Sequence, residues 1–171
     1  ESAAELIVGA MREALDKSGR SPADIDQLIY CGVGKGFLEP ANAYFYASAL
    51  GMQCSCYDIC DACMSWTRAL EIANMYLHNG NGNGNWNGNG NGKGRSKAIM
   101  IVNGEFNSDR GFPDNFAVKN LTQLPYTFPT YTIGEAATAT IVTTSEAEWS
   151  FHFKTRPDLC ELCNIPLEGY E

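Results

Sequence analysis

Short apolar runs alternate with stretches of helical periodicity along this chain, and that alternation constrains the fold more than any other feature. Residues 2 to 18 place Leu6, Ile7, Ala10, Met11, Ala14 and Leu15 at helical spacing, with Gly19 positioned to end the helix. Ser21-Pro22-Ala23-Asp24 starts a short turn, and Gln27 to Val33 reads as a buried strand broken by Gly34-Lys35-Gly36. Pro40 is expected to open a second helix reaching about Leu50, because proline suits the first helical position. Cys54 to Ile59 reads as the next strand. Met64 to Leu77 reads as a helix apolar nearly all round, and therefore buried. Lys97 to Asn103 and Ala136 to Thr144 read as further strands, Trp149 to Lys154 as a candidate fifth, and residues 104 to 131, with Pro113, Pro125 and Pro129, as loop. Helices alternating with apolar strands predict an α/β fold whose mostly parallel sheet is covered on both faces.

Composition sets the outer limits. Of the 171 residues, Asn79 to Gly94 form an Asn-Gly tract that holds seven of the 17 glycines. Such a composition packs no core and reads as a surface loop or linker. Setting it aside leaves about 155 residues, one domain's worth. Twelve basic against twenty acidic side chains give a net charge of -8, which argues against a nucleic acid or an anionic membrane as partner. No apolar run of membrane-spanning length occurs, and the acidic start Glu1-Ser2-Ala3-Ala4-Glu5 has no secretory character. The odd set Cys31, Cys54, Cys56, Cys60, Cys63, Cys160 and Cys163 favours free thiols in a reducing, cytoplasmic setting. With no initiator methionine, the chain reads as processed, trimmed or partly recorded.

The chemistry concentrates in Tyr57-Asp58-Ile59-Cys60-Asp61-Ala62-Cys63-Met64-Ser65-Trp66. A strand ends near Ile59 and a helix begins near Met64, so Cys63 falls at the strand-to-helix turn. Unpaired N–H groups and the helix dipole there favour a thiolate, and a backbone N–H can hold an oxyanion. That is a nucleophile's position; the other reading is an inert buried cysteine. Cys60-x-x-Cys63 and Cys160-x-x-Cys163 also have the spacing of metal-ligand pairs, and Cys60-x-x-Cys63 that of a redox pair at a helix start. The long separation of the two pairs and the strand–helix setting of the first weigh against a shared metal site. His78 and His152, the chain's two histidines, read as structural.

Asp24-Ile25-Asp26-Gln27-Leu28-Ile29-Tyr30, then Tyr57-Asp58-Ile59 through Cys63, then Gly134-Glu135-Ala136-Ala137-Thr138-Ala139 resemble, in order and spacing, the β-ketoacyl-ACP synthase III family of the thiolase fold. The resemblance implies a layered αβα half with a mostly parallel mixed sheet. It implies that residues 1–171 are an N-terminal half incomplete at both ends, interrupted by the tract at 79–94. It makes Cys63 the acyl-accepting cysteine and places Trp66, Gly134 and Glu135 at the substrate. The implied activity is acyl transfer or decarboxylative Claisen condensation in fatty-acid or polyketide biosynthesis, with an acyl-CoA or acyl-carrier-protein thioester as partner. A homodimer is implied, and neither cofactor nor metal. Condensation in the family also uses a His and an Asn from the second half of the fold, beyond Glu171. Ser65 and Trp66 replace the usual Gly and Phe, Glu135, Ala136 and Thr138 replace Asp and two glycines, and Glu39 precedes Pro40 where a hydrophobic residue is common. These departures suggest a specialised branch, or else a non-catalytic subunit.

Overall fold

The computed structural model describes residues 2–33, 37–78, 97–106, 120–123, 134–145 and 149–162. The Asn-Gly tract, most of the 104–131 loop and Cys163 lie outside these residues. Helix α1 (Ala3–Ser18) starts at a reciprocal cap: Glu5 N–H donates to Ser2 Oγ at 3.3 Å, and Ser2 N–H donates to the Glu5 carboxylate at 2.7 Å. Gly19, left-handed at φ 64°, ends it. Its buried stripe is Ile7, Met11 and Leu15.

Strand β1 (Gln27–Cys31) is buried along its whole length. Strands β2 (Ser55–Ile59) and β3 (Ala98–Glu105) pair with it in parallel, one on each side. Strand β4 (Ala136–Thr143) adds to β3 antiparallel, giving the order β2-β1-β3-β4. Helices α1 and α2 (Asn42–Ala49) cover one face, where Met11, Leu28, Ala43, Ala47, Met100 and Val102 form the core. Helix α3 (Ser65–His78) covers the other, over Ile29, Cys31, Ile99, Ile101 and Val142. The mostly parallel, two-faced α/β sheet is the architecture that the alternation of runs predicts. No described helix is long and apolar enough to cross a membrane.

Three local expectations are corrected. Pro40 does not open α2; its peptide bond with Glu39 is cis and the helix starts at Asn42. The Asp58 carboxylate decides that start. It accepts the N–H groups of Asn42 at 2.8 Å and Ala43 at 3.0 Å, so a side chain from β2 caps a helix whose own N-cap, Ala41, has none to offer. Helix α3 is not buried all round. Ser65, Ala69, Ala73 and Leu77 face the sheet four residues apart, while Trp66 is 41% and Met75 53% exposed. The small alanines let the helix lie close on one stripe, Leu70, Ile72 and Tyr76 pack half-buried at its flanks, and Trp66 and Met75 are left exposed. Trp149 to Lys154 is not a strand. Its alternating aromatics stack on one another, Phe151 on Phe153, and Phe153 lies under the Arg68 guanidinium at 3.9 Å.

The acidic motif before β1 has a structural purpose. Asp24 accepts both the N–H and the hydroxyl of Ser21 at 2.7 Å. Asp26 accepts the N–H groups of Lys97 at 2.6 Å and Ala98 at 3.0 Å, pinning the first residues of β3 where the chain re-enters the sheet.

Gly104 is required by close approach. A Cβ there would lie 2.3 Å from Ile7 Cδ1, inside the α1–β3 contact. Gly104→Ala is expected to cost about 1–3 kcal/mol by overpacking, read as a lower urea midpoint. Asp58→Ala, which strands two α2 amides, is expected to cost about 1–2 kcal/mol in the same assay.

Candidate active site

Parallel pairing brings the carboxyl ends of β1, β2 and β3 to one end of the sheet. In register, Ile59 lies beside Cys31 and Cys31 beside Asn103, with Thr138 of β4 completing the row. The segments leaving that row are Cys60–Met64, Gly32–Val33 and Gly104–Glu105, and Gly134–Glu135 enter it. This is the end at which open α/β sheets present ligand sites.

The chain leaves β2 through a single tight turn, Ala62–Met64, that runs directly into α3. Ala62 is held at φ 44°, a left-handed conformation costly for a residue with a Cβ. Ser65 holds it there. Its hydroxyl donates to Ala62 C=O at 2.7 Å and accepts the Asp61 N–H at 2.8 Å, and the residue is only 1% exposed. Met64 N–H closes the turn on Asp61 C=O at 2.9 Å. Arg68, one turn into α3, pairs with Asp61 at 3.3 Å and Glu71 at 3.0 Å. Cys63 therefore stands exposed on a strained elbow at the foot of a helix. Among the described residues no hydrogen bond reaches its sulfur.

The cysteines separate by environment. The inert buried reading describes Cys31, whose thiol burial pushes up to about 11, and not Cys63. Cys60 is exposed between the end of β2 and the turn, and Cys160 is exposed in the short helical turn Pro157–Leu162. Among the described residues no three His, Cys, Asp or Glu side chains gather to hold a metal ion.

Of the other sequence-predicted positions, Trp66 is exposed on the first turn of α3. Gly134 and Glu135 are exposed where the chain enters β4, and space is open around Gly134. They share the sheet end with Cys63 but adjoin β4, at the opposite edge of the sheet from β2. His78 closes α3, about 20 Å along the helix from its start. His152 is exposed and, among the described residues, has no bond to Cys63. Sequence reasoning missed the role of Ser65, which reads there as a departure from a glycine. Its signal is a hydroxyl residue at a helix start.

No protein-family model matches the chain. Over 101 residues it is 35% identical to a β-ketodecanoyl-[acyl-carrier-protein] synthase of Pseudomonas aeruginosa, a match covering 59% of this chain and 25% of that one. Among solved structures it superposes on OleA of Xanthomonas campestris, a glutamate variant, with a TM-score of 0.69 at 20% identity, over 85% of this chain and 42% of OleA. A cysteine-to-serine variant of OleA with bound lauric acid and lauroyl-CoA matches with the same TM-score of 0.69, over 84% of this chain and 40% of that one. The chain has the thiolase fold.

The resemblance to β-ketoacyl-ACP synthase III is thus upheld in sequence and in architecture. The chain spans about a quarter of the curated relative's length and two fifths of the solved ones. Within the thiolase fold, the Ser65 lock explains how a chain with serine in place of glycine keeps the cysteine turn closed. Ser65→Ala leaves the Asp61 N–H without its partner and is expected to cost about 1–3 kcal/mol. Urea unfolding checks the cost, and faster alkylation of Cys63 in the folded variant checks the loosened turn.

Proposed function

We propose that Cys63 is the nucleophile of a thioester acyl-transfer reaction of the β-ketoacyl-ACP synthase III kind. One observation carries the reading: in a thiolase fold, an exposed cysteine sits on a strained elbow between a strand's carboxyl end and a helix N-terminus. The sulfur attacks the carbonyl carbon of an acyl-CoA or acyl-carrier-protein thioester. A new C–S bond forms, the carbonyl electrons collect on oxygen, and the tetrahedral intermediate collapses with departure of the carrier thiolate. A backbone N–H of the Cys63 turn is assigned to hold that oxyanion. The product is an acyl group held on Cys63, ready for transfer or for decarboxylative Claisen condensation with a carrier-bound extender.

Trp66 beside the turn and Gly134-Glu135 at the same sheet end are assigned to substrate contact. The exposed aromatic ring of Trp66 suits an acyl chain. A homodimer is part of the proposal. Among the described residues no strand pairs with the outer edge of β2, and Phe37, Leu38, Tyr44 and Phe45 expose apolar surface. The six described cysteines are all unpaired, which suits a reducing, cytoplasmic compartment.

Incubation of the native protein with a medium-chain acyl-CoA, followed by peptide mass spectrometry, tests the nucleophile. An acyl adduct on Cys63, lost in Cys63→Ser, is the expected result. An adduct carried by another cysteine, or none at all, overturns the assignment of Cys63 as nucleophile.

A further inference from the structure

Cys54 and Cys56 take no part in the acyl transfer proposed above. Two residues apart where the chain enters β2, both are half-buried against the α1–α2 core. Their sulfurs approach to 3.8 Å, and the Cys56 thiol also points at Cys54 C=O at 3.5 Å. β2 lies at the sheet edge, and Cys54 immediately precedes its first residue, Ser55. Among the described residues the pair therefore sits where the strand has one neighbour and the chain has just left the turn before it. Two thiols fall short of the four ligands of a structural zinc site, and no third His, Cys, Asp or Glu among the described residues joins them.

We propose that Cys54 and Cys56 form a redox pair that closes a reversible disulfide when the protein meets a peroxide-class oxidant. The Cys56 thiolate attacks one peroxide oxygen; an S–O bond forms, the O–O bond breaks and hydroxide departs, leaving a sulfenic acid. The Cys54 sulfur then attacks the Cys56 sulfur. An S–S bond forms, the S–O bond breaks, and the departing hydroxide leaves as water with the Cys54 proton. Two electrons from the two thiols reduce one peroxide to water.

The division of roles follows the pair's asymmetry. Contact with Cys54 lowers the Cys56 thiol, whereas the same contact, with burial behind it, raises that of Cys54. The assignment of Cys56 as attacking thiolate and Cys54 as resolving thiol follows that direction; with the roles exchanged the same disulfide forms. Reversibility follows from geometry. A bridge between residues only two apart closes a very short ring, and a disulfide under such strain is readily returned to thiols by a dithiol reductant.

The test treats the intact native protein with hydrogen peroxide, blocks remaining thiols with N-ethylmaleimide and maps cysteine peptides by mass spectrometry. The peptide carrying Cys54 and Cys56 is expected to lose two hydrogens, to take no label, and to accept two labels after dithiothreitol. In Cys54→Ser, dimedone is expected to trap Cys56 sulfenic acid about tenfold more than in the unsubstituted protein. Full labelling of both cysteines after peroxide, bridging of either one to Cys60 or another thiol, or Cys56 sulfinic acid beside a free Cys54 would overturn the proposal. The mapping on the unsubstituted protein decides the matter even where a variant does not fold.

Discussion

Parallel pairing of β1 with both β2 and β3 is the constraint on which the rest of the structure depends. Parallel neighbours cannot be joined by a tight turn, so each connection crosses a face of the sheet. The chain moves from β1 to β2 in one direction, then passes back over β1 to reach β3. Crossovers are right-handed, so reversing the direction places α2 on one face and α3 on the other. A sheet buried on both sides follows, and with it the unbroken apolar runs of β1 and β3. The same reversal leaves the carboxyl ends of three strands open at one end, and there the Cys63 turn emerges.

The polar side chains that matter most act as fasteners between elements. Asp58 reaches from β2 to the first amides of α2, Asp26 ties the edge of β1 to the start of β3, and Ser65 closes the elbow below Cys63. Each satisfies backbone N–H groups that the element itself leaves orphaned. Tyr30 fastens β1 to β3 through an acceptor instead, its hydroxyl donating to the backbone carbonyl of Gly104 at 2.9 Å. These bonds explain why acidic residues recur at fixed points of an otherwise apolar frame. They also explain how a non-glycine residue is held at positive φ in the turn: the strain at Ala62 persists because Ser65 over-determines it.

Much of this was legible in the sequence. The alternation of apolar runs located the strands, β1 and β3 most plainly, because a strand buried on both faces needs an apolar side chain at nearly every position. Gly19 announced the end of α1, since only a residue without a Cβ enters the left-handed region at little cost. The position of Cys63 followed from a strand ending and a helix starting within a few residues. Pro40 misled because a rule for the first helical position says nothing about a carboxylate arriving from another strand. Trp149 to Lys154 misled because aromatic alternation serves ring stacking as readily as a ladder. The apolar surface of α3 misled because hydrophobicity alone does not say how many layers lie above a helix.

The sequence by itself determined the α/β class, the order of elements, the cysteine at the turn and the resemblance to ketoacyl synthases. All of these depend on local pattern, on which residue types stand at which spacing. Only the tertiary structure decided that Asp58 caps α2, that Ser65 locks the elbow, that Cys31 is buried while Cys63 is exposed, and that Cys54 and Cys56 meet sulfur to sulfur. Those facts depend on which side chain a neighbouring element brings within hydrogen-bonding reach and on what covers each thiol. Contacts of that kind are set by packing in space, which the spacing of residues along the chain does not specify.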